Sequence, residues 1–170
     1  MDFKSFIRDV PNFPKEGVIF KDITLLLQNP NALKETTSAL FELLEGQKID
    51  KVVGMESRGF IFGPLLAQKL NAGFVPIRKP GKLPSETLSE TYDLEYGTDT
   101  LEIHFDAIKK GDKVLVHDDV LATGGTANAA CKLIERLGGV IVQCNFLIEL
   151  TFLNGVSKVE DYPVKSLMKY

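Results

Sequence analysis

The run Val114-Leu115-Val116-His117-Asp118-Asp119-Val120-Leu121-Ala122-Thr123-Gly124-Gly125-Thr126-Ala127 constrains this chain more than any other stretch. A short apolar strand ends in two adjacent carboxylates, five small residues follow from Ala122 to Thr126, and a helix begins. That helix carries Ala127, Ala130, Cys131, Ile134 and Leu137 at spacings of three and four and closes at Gly138-Gly139. The first amides of such a helix lack helical partners, and its dipole favours an anion there. Thr123 and Thr126 add hydroxyl donors, while Gly124 and Gly125 let the backbone approach a ligand closely. No lysine follows the glycines, as a P-loop would require. The dinucleotide fingerprint, for its part, has no acids directly before its turn. Acids beside a phosphate cradle suit a sugar phosphate whose hydroxyls donate to the carboxylates.

The rest of the chain repeats the order strand, turn, helix. A helix is expected from Asn31 to Leu44, with Leu33, Leu40, Phe41 and Leu44 on one side and Gly46 as its stop. Val52 to Met55 is a short apolar strand ending in the turn Glu56-Ser57-Arg58-Gly59, and Phe62, Leu65, Leu66 and Leu70 then fit one face of a helix. Val140 to Leu150 returns as a strand, with Val142, Cys144, Phe146 and Ile148 on one face, and a last short strand is expected near Leu167. The fold class is α/β, a mainly parallel sheet with helices on both faces and ligands at the carboxyl ends of its strands. Between the two halves, Arg78 to Phe105 reads as a long polar loop. An antiparallel strand follows, in which Leu101, Ile103 and Phe105 alternate with Glu102 and His104. A loop of that length is a binding loop or cover, here from Pro80 to Gly97.

Composition narrows the function classes. With 170 residues, 44% hydrophobic and 25% charged, the chain is expected to form one domain with a real core. Twenty basic against 23 acidic residues leave a net charge of −3, with no basic face for nucleic acid. No apolar run approaches the roughly 18 residues of a membrane span, and the charged N-terminus does not read as a signal peptide, so a cytoplasmic protein is expected. Cys131 and Cys144 read as small core residues, one on the helix and one on the sheet.

The acidic pair with its Thr/Gly loop resembles the signature of the type I phosphoribosyltransferases. Four further segments resemble the members of that family that use adenine, and they come in the same order: Gly17-Val18-Ile19-Phe20-Lys21-Asp22-Ile23, Glu56-Ser57-Arg58-Gly59-Phe60, Arg78-Lys79-Pro80-Gly81-Lys82-Leu83-Pro84 and Leu94-Glu95-Tyr96-Gly97. The resemblance runs from about Val10 to about Leu150. It implies a type I phosphoribosyltransferase fold over 1–170, with residues 1–30 as a hood carrying the base site and 78–105 as a flexible loop with its strand. It also implies transfer of phosphoribose from phosphoribosyl pyrophosphate to adenine, giving AMP and pyrophosphate. Magnesium would be held mainly by the pyrophosphate substrate and water, with no protein ligand assigned. A homodimer is implied too.

By the same resemblance, Ala122, Thr123, Gly124, Gly125 and Thr126 hold the 5′-phosphate, and Asp118 and Asp119 face the ribose, where fixed carboxylates stabilise positive charge developing at C1′. Glu56, Ser57, Arg58 and Gly59 meet the pyrophosphate, for which Arg58 offers forked donors, and Lys79 and Lys82 are further partners. Glu56 stands where members of the family often carry Asp. Phe20 and Leu150 cover the two faces of adenine, and Ile19 and Lys21 read its edge through backbone groups. Glu95 takes the imidazole proton as N9 attacks C1′. His117 departs from the family, which usually has an apolar residue there; it reads as a side chain tolerated on the sheet or as a donor to an acid.

The residues leave two other readings open. One is a phosphoribosyltransferase for an oxopurine, which would need a donor to O6. The other is a regulator that binds phosphoribosyl pyrophosphate without turnover, although no helix-turn-helix or basic stripe accompanies the site.

Overall fold

The computed structural model describes residues 1–94 and 97–170. They form two compact units, Met1–Ala39 and Leu40–Tyr170.

In the first unit, strands β1 (Arg8–Pro11) and β2 (Ile19–Asp22) pair antiparallel, with Val10 opposite Phe20. The Phe13 and Phe20 rings meet edge to face at 5.2 Å, and Lys21 Nζ donates to Asp9 Oδ1 at 2.7 Å. A short helix α1 (Thr24–Gln28) follows, then helix α2 (Pro30–Glu42), whose last residues from Leu40 belong to the second unit. Helix α2 starts one residue before the expected Asn31 and stops two before Leu44. Asn29 Oδ1 accepts from the amides of Asn31 and Ala32 at 3.0 Å, and Pro30 takes the first helical position, where no amide is needed.

The second unit is built on a five-stranded, wholly parallel sheet in the order β4-β3-β7-β8-β9. Strand β3 (Lys51–Met55) leads through helix α3 (Gly59–Leu70) to β4 (Gly73–Ile77) at one edge. Strand β7 (Lys113–Leu121) leads through helix α4 (Gly125–Arg136) to β8 (Val140–Glu149), and β9 (Val164–Lys169) closes the other edge. Chain order thus runs outward in opposite directions from the β3/β7 pair, and ligands of open α/β sheets bind where the order reverses. The two helices take opposite faces. Val114, Val116, Cys144 and Phe146 pack with Ala127, Ala130, Cys131 and Ile134 of α4 in one core, whereas His117 on β7 faces Phe62 of α3, rings 6.4 Å apart. Both cysteines are fully buried, as expected.

Two expectations need correction. Strand β7 does not end at the acidic pair. It continues to Leu121 because β8 runs beside it, pairing Asp118 with Phe146 and Val120 with Ile148.

The long polar loop is half strand: β5 (Thr87–Asp93) pairs antiparallel with β6 (Thr98–His104), from Thr87 opposite His104 to Asp93 opposite Thr98. Thr87, Leu88, Glu90 and Tyr92 are its more buried positions, and Glu90 is ion-paired to Lys132 and Arg136 of α4 at 3.4 and 3.1 Å. A charged residue in the middle of the inward row hides the two-residue period from a hydrophobicity reading. Strand β6 stops at His104, and Phe105, expected on its apolar face, is exposed. Among the described residues, no helix is long and apolar enough to cross a membrane.

Candidate active site

Because β3 and β7 are neighbours, the turn after β3 and the loop after β7 open side by side at the carboxyl edge of the sheet. A cleft of about 260 Å³ lies there, lined by Glu56, Ser57, Arg58, Lys79, Tyr92, Leu101, Asp118, Asp119, Val120, Ala122 and Thr126. A smaller pocket of about 70 Å³ sits on the loop itself, walled by Asp118, Val120, Ala122, Thr123, Gly124 and Thr126 among others. The two share Asp118, Val120, Ala122 and Thr126.

Glycine makes the closest approaches possible. A Cβ at Gly59 would stand 3.0 Å from Asp118 Oδ1 and from the His117 carbonyl oxygen, so glycine lets the start of α3 lie against the acidic strand without pushing either aside. Gly125 opens α4 beneath the Tyr92 ring.

The charges are organised in pairs. Arg58 Nη1 lies 3.0 Å from Asp119 Oδ2, and Asp118 Oδ1 accepts from the Asp119 amide at 2.9 Å. Burial pushes the Asp118 carboxyl well above the usual carboxylate range, and the neighbouring Asp119 charge pushes it further. Burial raises Asp119 as well, with Arg58 pulling the other way.

Glu56 behaves oppositely. Burial alone would raise it, but Lys82 and the Lys79 amide, which donates at 2.8 Å, outweigh that and hold its carboxyl below the usual range. Arg78 Nε adds a contact at 3.3 Å. Lys79 Nζ is bound to Asp99, whose carboxylate also accepts from Tyr92 Oη at 3.3 Å. Tyr92 Oη lies 3.1 Å from Thr126 Oγ1, so the hairpin reaches the phosphate-type loop.

Of the residues singled out from sequence, Glu56, Ser57, Arg58, Lys79, Asp118, Asp119, Ala122 and Thr126 line the cleft together, and Thr123 and Gly124 line the adjoining pocket. Lys82 reaches this group through Glu56. Leu150, half-buried, donates its amide to Leu121 O at 2.9 Å and is not among the lining residues. Ile19 is exposed and Phe20 half-buried, on the hairpin of the first unit, beside Lys21. Glu95 lies outside the described residues. Among the described residues, His117 reaches no acid. It is fully buried, its Nδ1 3.3 Å from Asn145 Oδ1, and Asn145 Nδ2 donates to Leu40 O at 3.0 Å.

Sequence reasoning missed Tyr92 and Asp99. The alternation of Leu88, Glu90 and Tyr92 was the available signal. Among the described residues, no group of three or more His, Cys, Asp or Glu side chains converges as a metal site.

The phosphoribosyl transferase domain family matches residues 22–167. The chain is 65% identical over 170 residues to the adenine phosphoribosyltransferase of Flavobacterium johnsoniae, covering 100% of both chains. It superposes on the crystal structure of adenine phosphoribosyltransferase from Thermoanaerobacter pseudethanolicus with a TM-score of 0.97 at 52% identity, covering 99% of this chain and 98% of that one. It is also similar to the Saccharomyces cerevisiae enzyme, solved with adenine and an imino-altritol bisphosphate, with a TM-score of 0.92 at 45% identity over 98% of this chain and 96% of that one. A cleft at the reversal of strand order, walled by twin acids and a glycine-threonine loop, thus accompanies likeness over the full length: the chain belongs to the phosphoribosyltransferase family, in its adenine phosphoribosyltransferase branch.

Proposed function

We infer that this chain transfers the phosphoribosyl group of phosphoribosyl pyrophosphate to adenine, releasing AMP and pyrophosphate. In that reaction the bond from C1′ to the diphosphate oxygen breaks, the bond from N9 to C1′ forms, and the imidazole proton leaves. The observation that carries the reading is the shared wall of the two cavities. A monoester in the pocket over Ala122–Thr126 leaves its sugar beside Asp118 and Asp119 and its diphosphate towards Arg58 and Lys79, with Lys82 next to them on Glu56.

Arg58 and the lysines offset the charge gathering on the leaving group, and the acidic pair stabilises the positive charge developing at C1′. That developing charge favours the ionised forms of two carboxyls whose pKa burial raises. The donor set suits magnesium carried mainly by the diphosphate and water, since the acidic pair supplies only two carboxylates and magnesium keeps several waters. When bound, the ion neutralises part of the diphosphate charge. Glu95 accepts the imidazole proton in this reading. Ile19, Phe20, Lys21 and Leu150 are assigned to the base on resemblance, which also supports a homodimer and a cytoplasmic location.

The test is a spectrophotometric assay with phosphoribosyl pyrophosphate, magnesium and each purine base. Turnover with adenine and not with hypoxanthine or guanine is expected; turnover with hypoxanthine alone overturns the base assignment. Sedimentation of the purified chain checks the dimer. In a crystal soaked with AMP, the phosphoryl group is expected on Ala122–Thr126.

A further inference from the structure

Lys79 does not stand free in the cleft. Its ammonium is bound to Asp99, and that carboxylate is held at two other points: Oδ1 accepts from the Thr100 amide at 2.8 Å, and Oδ2 accepts from Tyr92 Oη at 3.3 Å. Tyr92 is itself braced, its Oη 3.1 Å from Thr126 Oγ1 and its ring over Gly125. The acid is therefore fixed to the β5–β6 hairpin, whereas Lys79 reaches it on a flexible four-carbon stem. The Lys79 and Asp99 side chains keep 37% and 27% of their surface in solvent, so the pair is one that a multiply charged anion can outcompete.

We propose that Asp99 is a positioning residue that occupies Lys79 while the cleft is empty and competes with the diphosphate for it, thereby speeding pyrophosphate release. The proposal rests on the reading that Lys79 meets the diphosphate. When the anion arrives, Lys79 swings from Asp99 to the ligand, and the stationary carboxylate is left facing a group of its own charge. That repulsion, with the vacated ion pair waiting to re-form, favours departure of the product. The sequence alone could not suggest it, because Lys79 and Asp99 are separated by a strand that the sequence hides.

The experiment measures pyrophosphate binding by calorimetry, with magnesium present, to the unmodified chain, D99N, K79A and the double variant. Asn at 99 can still accept from the Thr100 amide but no longer holds a cation. D99N is expected to tighten pyrophosphate about threefold or more, in line with the worth of a partly exposed ion pair, and to produce a larger burst of AMP before steady state. In the K79A background the same change is expected to alter the affinity less than about twofold, because the competition has lost its object. Y92F, which removes one anchor of Asp99, is expected to shift affinity in the same direction by less. An unchanged or weaker affinity in D99N overturns the proposal. An unchanged affinity in K79A alone overturns the reading of Lys79 itself, so the two failures are distinct.

Discussion

A Cβ on Gly124 would stand 2.2 Å from the carbonyl oxygen of Gly155, and a Cβ on Gly155 would stand 2.2 Å from that of Ala122. The loop after β7 and the turn at Gly155 therefore touch backbone to backbone, and Gly124 has a φ of 82° besides. Either Gly124→Ala or Gly155→Ala is expected to force the two segments apart, and Gly124→Ala adds roughly 1–3 kcal/mol of backbone strain. The expected result is a lower thermal midpoint together with at least about tenfold weaker AMP binding, measured on the same samples.

Asp118→Asn is expected to trade activity for stability. A carboxyl whose pKa is raised in the folded state binds its proton more tightly there than in the unfolded chain. Stability from this group therefore falls as pH rises from its ordinary value of 3.8 through the raised one. Above that window the buried charge is a net cost, which the neutral amide removes. Turnover is expected to drop about 10²–10³-fold, the scale for losing one electrostatic stabiliser of a transition state, while the thermal midpoint at about pH 7.5 rises and the gain vanishes in acid. Melting curves across pH check both signs, and unchanged turnover removes Asp118 from the mechanism.

His117 has the opposite linkage. Burial lowers its pKa from 6.5 to about 4, so the unfolded chain takes up a proton that the folded one refuses. Its contribution is fully present above about 6.5 and is lost as pH falls towards about 4. His117→Gln keeps a partner for Asn145 and is expected to flatten the acid limb of the stability profile with little change in turnover at neutral pH. A slope identical to that of the unmodified chain would falsify the assignment.

Glu95→Gln separates proton transfer from positioning. General-base catalysis contributes roughly 10²–10⁴-fold, so a loss in that range with loss of the basic-group inflection in the pH–rate profile is expected. A loss below about tenfold assigns the residue to positioning.

Legibility from sequence tracks how local each signal is. The phosphate-type loop, the acid pair and the helix behind them were readable because strand, glycines and helix face are consecutive, and the turn after β3 was readable for the same reason. Tyr92 was not, since its strand carries Glu90 inward and is neutralised by Lys132 and Arg136 from a helix some 40 residues on. Nor was the extension of β7 through Asp118, because a strand ends where its neighbour's ladder ends, and that neighbour is β8.

The order of elements, the parallel sheet and the chemistry at each strand end were determined by the amino-acid sequence, through periodicity and through the few residues that permit tight turns. Only the tertiary structure decided which charges meet. Arg58 faces Asp119, Lys82 faces Glu56 and Lys79 faces Asp99 because β3 and β7 are neighbours and the hairpin folds over their ends. Side-chain charge is written in the chain, but whether it is buried, paired or free depends on distances across the fold that no local pattern carries.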